Sequence, residues 1–278
     1  MESLVSTEWL AAELGSPDLV VFDATLYLPG EGKDAWAEYL QGHIPGAQFF
    51  DIDAIADPET ELPHMVPTPG RFARLVGALG VSDQSRVVFY DQRGMFSAAR
   101  GWWLMRLFGH DGAAVLDGGL PKWRREGRTI ETGKSSPPKA ATFRPSFRPT
   151  LLRGLGDMLA NVLSGSELVL DARSAGRFDG SVPEPRQGLR SGHIPGSRNL
   201  PYTELLYPDG TFRGPSELLA RFTQAGADGS RKIVTSCGSG VTAAVLSLGL
   251  HLAGLPEGAL YDGSWTEWAS RPETPVEE

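Results

Sequence analysis

The chain repeats itself, and that limits its folds more than any other feature. GHIPG stands at 42–46 and again at 192–196, an offset of 150. LVVFDA, with Asp23, precedes the first, and LVLDAR, with Asp171, precedes the second, an offset of 148. VVFYDQRGMFSAARGWWLM at 87–105 parallels KIVTSCGSGVTAAVLSLGL at 232–250. LDGGLPKW at 116–123 parallels YDGSWTEW at 261–268, so that Asp117 and Asp262, like Trp123 and Trp268, are 145 apart. Four matching blocks in one order describe a duplicated domain. The copies are expected at 1–134 and 151–278. The Pro-, Ser- and Arg-containing stretch 135–150 between them reads as an extended linker.

Within each copy, short apolar runs alternate with helical patterns. Leu19–Asp23, Arg86–Tyr90, Leu168–Asp171 and Arg231–Thr235 are expected as strands, and Ala98–Leu107 and Val241–Leu252 as helices. Such alternation implies an α/β domain with a mostly parallel sheet, whose strands are apolar throughout because both faces are covered. Ligands of such sheets bind at the carboxyl ends of the strands.

One residue near such an end stands out. Cys237 is the only cysteine in 278 residues. It follows a β-branched run and is followed by Gly238, Ser239, Gly240, Val241 and Thr242 before the expected helix. A lone cysteine is ordinarily a small buried hydrophobe. A strand, a tight Gly/Ser turn and a helix start gather backbone N–H groups that lack intrahelical partners, and the helix dipole adds positive charge. That setting favours a thiolate, the nucleophilic form of the side chain. Ser239 and Thr242 add hydroxyls, and Thr242 is placed to cap the helix. A phosphatase loop of this kind carries an arginine six residues after its cysteine to grip phosphoryl oxygens. Ala243 occupies that position here, which argues against phosphate or arsenate chemistry. A sulfur-transfer loop needs only the thiolate and N–H donors for a persulfide anion.

Bulk properties narrow the field further. Hydrophobic residues make up 41% and charged residues 22%, as in globular proteins generally. A net charge of -8 without a Lys/Arg block argues against nucleic-acid binding. No apolar run reaches membrane-spanning length, and MESLVSTEWLAAEL lacks the apolar core of a secretory signal. A single cysteine makes no intrachain disulfide, so a reducing cytoplasmic setting is expected.

The duplication, the CGSGVTA turn and the DGSWTEW tail together resemble the tandem-domain sulfurtransferases of the rhodanese superfamily, over nearly the whole chain. The resemblance implies two rhodanese-like domains, with a catalytic C-terminal copy and an N-terminal copy made non-catalytic by Asp91 in place of the cysteine. Within the superfamily, CGSGVTA is most similar to the 3-mercaptopyruvate branch. Thiosulfate-preferring members carry a basic pair where this chain has Gly238 and Ser239. GRFDGSVPEPRQG at 176–188 resembles the stretch in which two arginines hold the keto-acid, which maps onto Arg177 and Arg186. FFDIDAIADPETELPHMVP resembles the segment that supplies an aspartate and a histidine to the cysteine and loop serine. These map onto Asp53, with Asp51 as rival, and His64, beside Cys237 and Ser239. The implied site therefore draws on both copies.

The resemblance further implies a double-displacement reaction through a Cys237 persulfide, with no metal and no organic cofactor. The donor would be 3-mercaptopyruvate, or alternatively thiosulfate. The acceptor would be a thiol, a thioredoxin-like protein or cyanide. A low-turnover sulfur carrier or binding module is the reading from another class. His43 and His193, present in both copies, are expected to be structural, as are Asp23, Asp171, Asp117 and Asp262. Trp102, Trp103, Trp123, Trp265 and Trp268 are expected in packing.

Overall fold

All of residues 1–278 are described by a computed structural model. The chain divides into two units. The first comprises Met1–Pro58, Val66–Arg148 and Pro208–Thr211; the second comprises Glu59–Met65, Pro149–Tyr207 and Phe212–Glu278.

The first unit holds β1 (Leu4–Val5), β2 (Leu19–Asp23), β3 (Gln48–Phe49), β4 (Arg86–Tyr90) and β5 (Ala113–Leu116), in the order β1-β5-β4-β2-β3. The second holds β6 (Leu152–Arg153), β7 (Glu167–Asp171), β8 (Arg198–Asn199), β9 (Lys232–Ser236) and β10 (Ala259–Tyr261), in the order β6-β10-β9-β7-β8. Every pairing in both sheets is parallel. The fold is therefore the α/β class the alternation implies, built twice with one topology. No helix is long and apolar enough to cross a membrane.

The central strands are apolar because helices cover both faces of the sheet. Val87, Val88, Phe89 and Tyr90 of β4 are all buried. The helix after β4, Ala98–Leu107, packs against β4 and β5, and its counterpart after β9 is Ala243–Leu252. The two cores use matching positions. Val21, Ile44, Val88, Leu120 and Trp123 cluster in the first unit, and Val169, Ile194, Val234, Trp265 and Trp268 in the second. All five tryptophans expected in packing are buried.

GHIPG does the same work in both copies. His43 forms a two-way backbone bridge with Glu131, and His193 one with Glu277. His43 Nδ1 bonds Tyr39 O at 2.9 Å, and His193 Nδ1 bonds Phe178 O at 2.9 Å. Each imidazole also stacks on the ring of the residue that supplies that carbonyl, Tyr39 or Phe178. The motif ties each unit's closing strap to its body. The stretch 135–148 forms no helix or strand, yet it is fixed along the first unit. Ala141 N–H reaches Gly77 O at 2.8 Å, Ser146 N–H reaches Phe108 O at 2.8 Å, and Phe143 sits edge-on to Phe72.

Candidate active site

Cys237 is the first residue after β9, and it is buried, 2% exposed. The helix behind it starts at Ala243, two residues later than the sequence pattern suggests, because Val241 and Thr242 still belong to the turn. Thr242 holds the N-cap position, but its hydroxyl makes no capping bond, so the role expected for it is not the one it plays. Ala243 is buried at the start of the helix, and the loop contains no arginine.

What such a loop binds is visible in the first copy. Asp91 directly follows β4, as Cys237 follows β9. Its Oδ2 accepts the N–H groups of Phe96, Ser97 and Ala98 at 2.8, 2.9 and 3.0 Å, and its Oδ1 accepts that of Arg93 at 2.9 Å. Four amides thus converge on one buried carboxylate. A turn of this construction is an anion nest. In the first copy the side chain of the turn fills it. By the ends of the matching strands and the starts of the matching helices, the counterparts in the second copy are the amides of Ser239, Val241, Thr242 and Ala243, in the turn that carries Cys237.

Ser239 is held by His64. The imidazole Nδ1 lies 3.0 Å from Ser239 Oγ and 3.4 Å from Ser239 O. The ring and the hydroxyl lie within hydrogen-bond distance, and the tautomer of the ring sets which of the two donates. His64 is buried and adopts φ 62, a left-handed conformation unusual for a residue with a Cβ. Its segment, Glu59–Met65, belongs to the second unit, although it lies within the first copy in sequence. Asp53 lies in the first unit, exposed on the short helix Ile52–Ile55. Asp51 is the N-cap of that helix and accepts Ala54 N–H at 3.0 Å. The two aspartates line a cavity of about 480 Å³ with Thr25, Tyr27, Lys33 and Trp36.

Arg177 reaches the cysteine loop. A Cβ built on Gly238 would fall 2.9 Å from Arg177 Nη2, so the guanidinium occupies the space a side chain at 238 would take. Glu184 fixes that guanidinium. Its Oε1 accepts Arg177 Nε–H at 3.1 Å and Arg173 Nη1–H at 2.8 Å, and its Oε2 accepts from Arg177 Nη2. Arg173 is itself paired with Asp171 and lies over Trp265. Arg186 is half-buried in the loop that carries Glu184. The network is two guanidiniums and two carboxylates, of which only Arg177 is appreciably exposed, at 17%.

Sequence reasoning passed over Glu184 and Arg173. It also passed over Ser264 and Thr266. Cys237 N–H donates to Ser264 Oγ at 3.3 Å, and Gly238 O accepts both Thr266 N–H at 2.9 Å and Thr266 Oγ–H at 2.6 Å. A signal for the last two was present in the aligned repeats. Ser264 and Thr266 match Gly119 and Pro121, which carry no hydroxyl.

A doubled parallel α/β fold with one cysteine nest and one carboxylate-filled nest defines the class. The rhodanese-like domain model matches residues 6–126 and 155–271. The chain belongs to the rhodanese-like family and is a sulfurtransferase. Over 99% of its length it is 42% identical to the 3-mercaptopyruvate sulfurtransferase of Homo sapiens, covering 95% of that protein. Over 99% it is 44% identical to the mitochondrial thiosulfate/3-mercaptopyruvate sulfurtransferase 1 of Arabidopsis thaliana, covering 78% of that protein. The crystal structure of a 3-mercaptopyruvate sulfotransferase from Escherichia coli aligns with a TM-score of 0.86 at 39% identity, over 95% of this chain and 99% of that one.

Proposed function

We propose that this sulfurtransferase takes its sulfur from 3-mercaptopyruvate, holds it as a persulfide on Cys237, and passes it to a thiol, a thioredoxin-like protein or cyanide. One observation carries the choice of donor: the cysteine loop contains no cation, and the guanidinium that reaches it, Arg177, comes from outside across Gly238. A dianion such as thiosulfate is served by charge inside the loop. A keto-acid has its charge at the far end from its sulfur, which suits an arginine standing beside the loop. Arg177 and Arg186 would hold the carboxylate and keto oxygen by charge-assisted hydrogen bonds.

The Cys237 thiolate attacks the donor sulfur. The bond between that sulfur and C3 breaks, and its electron pair leaves on the carbon as the enolate of pyruvate. A proton then converts the enolate to pyruvate. Ser239 is suited to this step because its hydroxyl lies 3.0 Å from His64 Nδ1, a pair that can move a proton beside the donor. The family resemblance assigns an aspartate to the same relay, Asp53 with Asp51 as its rival. The persulfide carries its outer sulfur about 2 Å beyond Cys237 Sγ, where the loop N–H groups would hold it until an acceptor arrives. A thiolate acceptor takes that sulfur and returns Cys237 as a thiolate, so the cycle closes without a redox cofactor. A single cysteine suits a reducing compartment, and we place the protein in the cytoplasm.

The experiment is intact-mass spectrometry after donor treatment, paired with rates for both donors and cyanide as acceptor. One added sulfur from mercaptopyruvate, missing in Cys237→Ser, and faster transfer from mercaptopyruvate than from thiosulfate are expected. A sulfur adduct that persists in Cys237→Ser would sink the assignment of the thiol. Faster transfer from thiosulfate would make that the donor, one of the two that the name of the Arabidopsis thaliana relative carries.

A further inference from the structure

We infer that Ser264 and Thr266 are positioning residues for the reaction: Ser264 holds the peptide plane before Cys237 and Thr266 the plane after Gly238, so that the loop amides face the sulfur. The inference rests on the sulfur-transfer reading above.

The argument starts from the peptide unit. A carbonyl and the N–H of the next residue lie in one plane and point in opposite directions. Fixing the Cys237 carbonyl therefore fixes the Gly238 N–H, and fixing the Gly238 carbonyl fixes the Ser239 N–H. Cys237 O accepts Trp265 N–H at 2.9 Å. Gly238 O accepts two donors from Thr266, its N–H at 2.9 Å and its hydroxyl at 2.6 Å. Both carbonyls are thus turned toward the segment 264–266, and the Ser239 N–H is turned the other way. In the first copy the amide at the matching place, Arg93 N–H, points at the side chain of the turn, 2.9 Å from Asp91 Oδ1.

The two copies differ where the chemistry requires it. In the first, Leu120 N–H still binds Asp91 O at 3.1 Å, but Pro121 has no N–H and no hydroxyl to offer the next carbonyl. Gly119 adopts φ 54, an ordinary conformation for glycine. In the second copy Ser264 adopts φ 49, the same left-handed turn with a Cβ attached. A serine kept in a glycine conformation needs a reason, and its bonds supply one. Ser264 is fully buried, its Oγ–H donates to Tyr261 O at 2.8 Å, and its Oγ accepts Cys237 N–H at 3.3 Å. In the first copy the carboxylate of Asp91 organises its own nest by charge. A thiolate with a departing sulfur does so less strongly, and the hydroxyl clamp replaces that organisation.

The test uses full-length Thr266→Val, Thr266→Ser, Ser264→Ala and Ser264→Gly. Three readings are taken: alkylation rate of Cys237 by iodoacetamide against pH, kcat and KM for mercaptopyruvate-to-cyanide transfer, and Tm. Thr266→Val keeps the shape and loses the hydroxyl. It should lower the alkylation rate and kcat together by about tenfold, leave KM unchanged and move the alkylation profile to higher pH. Thr266→Ser should restore both rates. Ser264→Gly places in the turn the residue the first copy uses there, so it should fold as wild type does and still lose rate, as Ser264→Ala does. Unchanged alkylation in Thr266→Val, or an equal loss in Thr266→Ser, would overturn the clamp. So would a fall in rate matched only by a fall in Tm. Alkylation needs no sulfur donor, so it decides the clamp even where wild-type protein fails to move sulfur, an outcome that would instead refute the proposed function.

Discussion

Gly238 is small because Arg177 is there. Any Cβ at 238 meets Arg177 Nη2 at 2.9 Å, and the obstructing atom is the end of a long side chain, so a substitution displaces the guanidinium without breaking the fold. Gly238→Ala is therefore expected to leave Tm near wild type and to reduce kcat/KM for mercaptopyruvate by roughly tenfold, one charged hydrogen bond's worth. Arg177→Ala and Arg186→Ala remove the clamp outright. Charged hydrogen bonds of roughly 1.5–3 kcal/mol each predict losses of about tenfold to a hundredfold with mercaptopyruvate. A persulfide donor without a carboxylate should be spared, and equal losses with both donors would remove the arginines from substrate binding. Cys237, Ser239 and Arg177 were legible as residue types in a recognisable order. The contact between Arg177 and Gly238 was not, because it joins residues 61 positions apart in sequence.

Elements that carry their own signal were easy to read. Arg86–Tyr90 and Ala98–Leu107 form where the apolar pattern puts them. β3 and β8 have two residues each, too few for a pattern to show, and exist only because a longer strand pairs with them. The loop after the Ala175–Phe178 helix is another element without a pattern, and Glu184 organises it. Its side chain is 4% exposed and bridges Arg173, at 0%, and Arg177. Glu184→Gln would leave Arg173 with Asp171 alone and take from Arg177 the carboxylate that braces it. Removing one partner of a buried ion pair costs about 3–5 kcal/mol. Chemical unfolding of Glu184→Gln should show a destabilisation in that range for the second unit, together with weaker use of mercaptopyruvate as Arg177 loses its brace. A variant as stable as wild type would mean that the bridge contributes little to holding the loop.

Over the whole molecule the two copies diverge in charge at matching positions, and pH exposes the difference. Asp23, at the end of β2, is fully buried. Its carboxylate accepts from Thr25 N–H at 3.0 Å, from the Thr25 hydroxyl and from Gln92 Nε2 at 2.9 Å. Burial outweighs those bonds and, helped by the neighbouring Asp91 charge, pushes the Asp23 carboxyl up to about 6 from 3.8. The folded chain thus holds this proton more tightly than the unfolded chain does. The stability that Asp23 contributes is fully present below the unfolded value and falls as pH rises through the window from about 4 to 6. Two pKa units correspond to about 3 kcal/mol. Unfolding free energies compared at pH 4 and pH 7 should therefore show wild type losing about that much relative to Asp23→Asn, which cannot ionise. Parallel curves for the two proteins would refute it. The repeat blocks, the alternation of strands and helices and the lone cysteine after a β-branched run determined the fold class, its duplication and the candidate thiol. Each is a local pattern, and backbone periodicity and turn chemistry are local. The tertiary structure alone decided that His64 belongs to the unit of Cys237, that Glu184 braces Arg177, and that Ser264 and Thr266 bond the cysteine loop. Those contacts join segments distant in sequence, and only packing of the whole sheet brings them within the 3 Å or so over which a hydrogen bond acts.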